Sequence, residues 1–350
     1  MQGLRNRSSL WLQEVRSRLR VRGAEQRLRS SRVQVAIERI VDQANPALRG
    51  LGGYRRKLFP VVERLLEYTD ELLARIPGPT ELDPATWSSD PLMNALFGDI
   101  GRIRQVVSGP PVRAWLEAHP FADGEDLYAL LAVMPEERHQ LGMELVGDHV
   151  QRDVKQTTLS FRDHELFGVA DSIDEARRAL VQPAVDLMVS IAIGEIVAQE
   201  ERIAALEQAL RMLKLKLKVV NPRAAGLDLV LQGSGQHLAE QERLRVCVEE
   251  TERDLADASR GLGNIEQYLE RLVQLLSHPE KDVALETMEV RLDRMNIVRD
   301  RYDPEAQLIR LVRARRADRP GRVAQFIRFP RRLVLSADER LSAVERHLGM

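Results

Sequence analysis

Two heptad runs on either side of a turn constrain this chain more than any other feature. Ile196, Ile203, Leu206, Leu210, Leu213, Leu217 and Val220 recur at spacings of seven, three and four. After a stretch rich in Gly, Pro and Ser, the residues Val248, Thr251, Leu255, Ala258, Leu262, Ile265, Leu269, Leu272 and Leu276 alternate three and four without a slip. A stripe of this period drifts around a straight helix, so it stays covered only where another helix wraps along it. The pattern implies an antiparallel coiled-coil helical hairpin. Asn221-Pro222 stops the first arm, and Gly226, Gly233 and Gly235 keep its tip non-helical. Gly261 and Gly263 lie inside the second run, where a bent helix or a close helix crossing is expected.

The rest of the chain reads as helix too. Leu, Ala, Arg, Glu, Val and Gln dominate, and few segments alternate with period two, so strands should be rare. Helices are expected at about 32–45, 54–76, 112–118, 124–133 and 135–154. Asp90-Pro91 marks another start, a capping acid followed by proline at the first position. Residues 156–170 are the least helical part, an extended segment or loop at a junction. Helix resumes near Ser172, with Glu175 as a capping-box partner. The apolar window 184–198 is interrupted by Asp186 and Glu195 and falls short of the ~20 residues of a membrane span, so it reads as a buried helix. Leu285, Met288, Leu292 and Met295 suggest a third helix against the hairpin, residues 305–317 a basic helix, and Ser336 the start of a last short one. The expected fold class is therefore all-α. It has a basic amphipathic segment at 1–32, a compact helical domain at 33–165, the hairpin section at 166–300 and an Arg-rich segment at 301–350.

Charge is unevenly placed. Residues 1–32 carry a net +7 and residues 310–332 a net +8, which leaves −16 on the remaining 295 residues. Such basic ends suit anionic surfaces, lipid or nucleic acid. The candidate anion-binding residues are Arg16, Arg18, Arg20, Arg22, Arg313, Arg315, Arg316, Arg328, Arg331 and Arg332. Phe326 and Phe329 lie among them as stacking surfaces for bases. The plainer reading pairs these arginines with the acidic body.

Recognised chemistry is sparse. The chain has no phosphate-binding GxxxxGK[ST] loop, no GxSxG elbow and no zinc-protease helix. The single cysteine, Cys247, excludes an intrachain disulfide and suits the reducing cytoplasm. Glu144 with Asp148, and His149 with Asp153, stand four apart and on one helix would offer metal-ligand pairs, although a solvated polar face is the plainer explanation. Arg162-Asp163-His164-Glu165 forms a dense polar cluster in the least regular stretch, where loops often carry function.

No cofactor is implied. The leading expectation is a non-enzymatic scaffold or adaptor that binds a protein partner or another copy of itself, in the cytoplasm or at the periphery of a membrane. Its association stripe would comprise Ile203, Leu206, Leu210, Leu213, Leu217, Leu255, Leu262, Ile265, Leu269 and Leu272. The alternatives are a peripheral binder of anionic lipid or nucleic acid, and a metal-dependent enzyme using residues 137–153.

Overall fold

The computed structural model describes residues 26–87, 89–120, 124–146, 149–220, 234–300, 303, 306–316, 319–336 and 339, with no side-chain detail at 144–150 and 234–238. It overturns the all-α expectation. The chain is mixed α/β, built from helices and a six-stranded half-barrel sheet.

The described residues divide into two units that interleave along the chain. One takes residues up to Leu65 together with Leu187–His278, and the other takes Leu66–Asp186 together with residues from Pro279 onward. The first unit is helical. Its α1 spans 26–44 and buries Val33, Ala36, Ile37, Ile40 and Val41 at helical spacing. A 3₁₀ turn, Pro46–Gly50, follows; Asn45 caps it by accepting from the Ala47 amide. Helix α2 (Tyr54–Arg75) begins in this unit and buries Leu58, Val62 and Leu65 there. Pro60 is the seventh residue of α2, past its first turn, so the bond an amide there would make to the Arg56 carbonyl is missing.

The second unit holds the sheet. A short β1 (Thr80–Glu81) leads to helices α3 (Pro91–Leu96), α4 (Ile100–Val107) and α5 (Pro110–Ala118). Asp90 caps α3 by accepting from the Leu92 and Met93 amides, and Pro91 follows as the first helical residue. Gly98 and Asp99 separate α3 from α4, and Asp99 accepts from the Arg102 amide to start the second helix. Strands β2 (Asp126–Val146) and β3 (His149–Ala170) form a long antiparallel hairpin. Helix α6 (Ile173–Val220) starts in this unit, with Ser172 accepting from the Glu175 amide.

Beyond α6 the chain forms α7 (Ser234–Ala258), α8 (Ile265–Leu276) and the single turn α9 (Pro279–Asp282). Three strands complete the sheet: β4 (Val283–Leu292), β5 (Gln307–Arg316) and β6 (Arg322–Pro330). The order is β3-β2-β6-β5-β4, with β1 parallel to β6. On one edge β6 pairs with β2, while its other edge is shared by β5 at Arg322–Val323 and by β1 at Ile327–Arg328. The β4–β5 connection returns to β3, where Ile297 bridges Thr158 and curls the sheet toward closure. Leu127, Ala129, Leu131 and Val133 of β2 join Leu96, Phe97, Ile103 and Val107 in one buried cluster with Ile309, Leu311, Ile327 and Phe329.

Four helical expectations are corrected. Residues 124–133 and 135–154 are β2 and the start of β3, residues 285–292 are β4, and residues 307–316 are β5. These segments are rich in helix formers, but pairing between distant strands outweighs a preference worth a fraction of a kcal/mol per residue. The second heptad run is also interrupted. Helix α7 ends at Ala258, Gly261 takes a left-handed φ of 84°, and Asn264 caps α8 by accepting from the Gln267 amide. Leu262 therefore lies in a turn, whereas Leu269 and Leu272 belong to the separate, amphipathic α8 and are buried.

Candidate functional site

The helical arm, formed by the distal part of α6 and by α7, carries most of the stripe read from the sequence. Ile203, Leu206, Leu210, Leu213 and Leu217 on α6 are half-buried, as are Leu244, Val248 and Leu255 on α7. The two helices are tied at two places along the described arm. Gln199 Nε2 donates to the Ala258 carbonyl at 2.8 Å, and Lys214 Nζ meets Glu252 Oε1 at 2.7 Å. The arm also has a second apolar stripe. Met212, Leu215 and Val219, again three and four apart, are 53%, 55% and 80% exposed. Sequence reasoning missed this stripe because it runs beside the first at the same period.

The arm is electrostatically polar across its width. From 208 to 220, α6 holds Arg211, Lys214, Lys216 and Lys218 and no acid, while α7 holds seven acids against Arg243, Arg245 and Arg253. By length and composition α6 is also apolar enough to cross a membrane. Ala176, Leu180, Val185, Val189, Ala192 and Ile196 are buried along it.

The candidate anion-binding arginines are placed differently. Arg16, Arg18, Arg20 and Arg22 lie outside the described residues. Arg315 bonds to Glu286 at 2.9 Å and Arg328 to Asp126 at 2.7 Å, so both are tied to carboxylates of the body. Arg313 and Arg316 are half-buried on β5, while Arg331 and Arg332 occupy a 3₁₀ turn after β6. Phe326 and Phe329 are fully buried, which removes them as stacking surfaces for bases.

The helical spacing behind the metal reading is absent. Glu144 lies on β2, His149 and Asp153 lie on β3, and Asp148 falls outside the described residues. Residues four apart on a strand are about 13 Å apart, too far to share an ion. Among the described residues no three His, Cys, Asp or Glu side chains converge as metal ligands would.

The polar cluster at 162–165 acquires a setting that the sequence could not show. It sits on β3 and contains the first of two bulges, the second following a few residues on. Ala132 pairs with Glu165 but Met134 with Arg162, and Tyr128 pairs with Ala170 but Leu130 with Phe167. Asp163 and Gly168, within these irregularities, have positive φ of 54° and 60°. Bulges re-aim the side chains beside them. Here α4 and α5 face this segment across a cleft of about 400 Å³, whose walls include Arg102, Gln105, Pro110, Pro111, His164 and Phe167.

Glu165 does not bring a free charge to the cleft. Arg322 grips it with bonds of 2.6 and 2.9 Å, and this hydrogen bonding holds the carboxyl below its ordinary range. His164 Nε2 lies 2.7 Å from the Leu96 carbonyl, which can only accept, so Nε2 carries the proton. The imidazole stacks on Phe97 at 5.0 Å. Burial pushes its pKa down, and the nearby positive charge of Arg102 adds to that. The neutral ring leaves Nδ1 as an acceptor, buried and with no partner among the described residues.

No protein-family model, no curated protein and no solved structure matches the chain.

Proposed function

We propose that this protein is a non-enzymatic scaffold that joins a second copy of itself through the helical arm. The observation that carries this reading is the second apolar stripe. Met212, Leu215 and Val219 stay largely exposed although the first stripe is half-covered within the same arm. A helix with apolar residues on two adjacent stripes needs more than one neighbour to cover them. Charge supplies the choice of neighbour. The basic outer end of α6 complements the acidic α7 of another copy, and the Lys214–Glu252 pair within one copy is an instance of that match. A closed, two-fold arrangement would use each stripe once per subunit.

Light scattering coupled to size-exclusion chromatography tests this on the full chain. The wild type should run as a dimer or larger assembly, and should keep that mass at about 0.5 M salt because the stripe is apolar. The combined variant Met212→Glu, Leu215→Glu, Val219→Glu should run as a monomer with unchanged helicity, since these side chains are already exposed. A monomeric wild type, or a variant with wild-type mass, refutes the proposal.

A further inference from the structure

The cleft between α4, α5 and β3 lies outside the arm and has the chemistry of a ligand site. We infer that it binds a small monocarboxylate with an apolar tail, the carboxylate on Arg102 and the tail against Phe167, Pro110 and Pro111.

Three observations converge on this assignment. The first is size and lining. A hollow of about 400 Å³ falls at the small end of ligand pockets, and mostly apolar walls with a few polar groups are their usual composition. The second is the exposed ring. Phe167 is 42% exposed, while Phe97, Phe326 and Phe329 are fully buried. The bulges at 162–165 and 167–170 set this ring beside the cleft at the cost of two breaks in strand register.

The third observation is charge. Glu165 is neutralised by Arg322, and His164 is held uncharged by its surroundings. Among the described residues the Arg102 guanidinium meets Gln105 Oε1, at 3.4 Å, and pairs with no carboxylate. The cleft therefore presents one net positive charge beside an apolar wall. One cation suits a single anionic head, and the apolar walls suit a tail rather than a second charge.

Octanoate and octanol, which share a tail and differ in the head group, are the probes. Binding is read by calorimetry on the full chain near neutral pH, and by NMR of the His164 ring. Octanoate should bind saturably, and its negative charge should raise the pH at which the His164 ring titrates. Arg102→Gln should weaken octanoate by about tenfold or more, the loss expected for a charge-assisted hydrogen bond, and leave octanol unchanged. The substitution spares the helix start, because Asp99 accepts from the Arg102 backbone amide and not from its side chain. Phe167→Ala should weaken both probes. Octanoate that fails to saturate at millimolar concentration overturns the inference, as does an Arg102→Gln variant that binds it as tightly as wild type.

Discussion

Gly168 offers the sharpest test of the packing beside the cleft. It ends the bulged segment of β3 with φ near 60°, and a Cβ built there would lie 2.7 Å from Leu180 Cγ and 3.0 Å from the Ala176 carbonyl oxygen. Two costs follow for Gly168→Ala. The left-handed backbone costs an L-residue about 1–2 kcal/mol. Forcing a methyl against Leu180 and a helix carbonyl costs about 1–3 kcal/mol, since the carbonyl belongs to α6 and moves only with its helix. Alanine also restricts the unfolded chain, which returns about 0.4–1 kcal/mol. The net expectation is a loss of about 1–4.5 kcal/mol. Trp87 and Trp115 both lie in the unit that contains Gly168, so urea unfolding followed by tryptophan fluorescence reports on it. Adding Leu180→Ala separates the two costs. It makes room for the new methyl, so the double variant should lose less than the two single losses added together. A Gly168→Ala loss within about 0.5 kcal/mol of zero would refute the reasoning, because that is the range of substitutions touching no special feature. Strict additivity with Leu180→Ala would remove the packing part and leave only backbone strain.

Three further outcomes are expected. The folded pKa of His164 lies below its ordinary 6.5, mainly through burial, so the unfolded chain binds more protons. Stability should be complete above about pH 6.5, fall as the pH drops below it, and stop falling once the lower folded value is passed; urea midpoints that fail to drop more steeply in wild type than in His164→Gln would contradict this. Phe326→Ala should cost about 3–5 kcal/mol, because the ring is fully buried with the Arg177 guanidinium 5.4 Å from its centre. Phe167→Ala should cost little, and equal losses from the two in the same unfolding assay would contradict the burial described.

The arm was legible in the sequence because its signal is local. Each stripe residue on α6 or α7 is placed by neighbours three and four positions away. The same holds for the Asp90 cap, for the Ser172 cap at the start of α6, and for Ser336 and Glu339, which exchange a reciprocal pair of bonds as a capping box does. The sheet was not legible, because its strands are specified by residues far away. In β2 the fully buried residues Leu127, Ala129, Leu131 and Val133 do alternate, but Tyr128 and Leu130 between them are also apolar and Ala132 is buried too, so the run shows no period of two. In β4, Leu285, Met288 and Leu292 match a helix by spacing, while the strand is set by ten paired positions on β5. The cleft was half visible. The cluster at 162–165 stood out, but Arg102 comes from some sixty residues upstream and only the fold brings it near.

The pairing of β2 with β6 has a consequence for biosynthesis. Leu131 lies opposite Gln325, so the chain must grow by 194 residues after β2 emerges before that strand finds its neighbour. At about 5–20 residues per second the wait is roughly 10–40 s. Throughout it, the β2–β3 hairpin holds a bare edge, the kind of surface that recruits chaperones or other nascent chains. Translation speed, and not only sequence, therefore bears on how much of this protein reaches its native state.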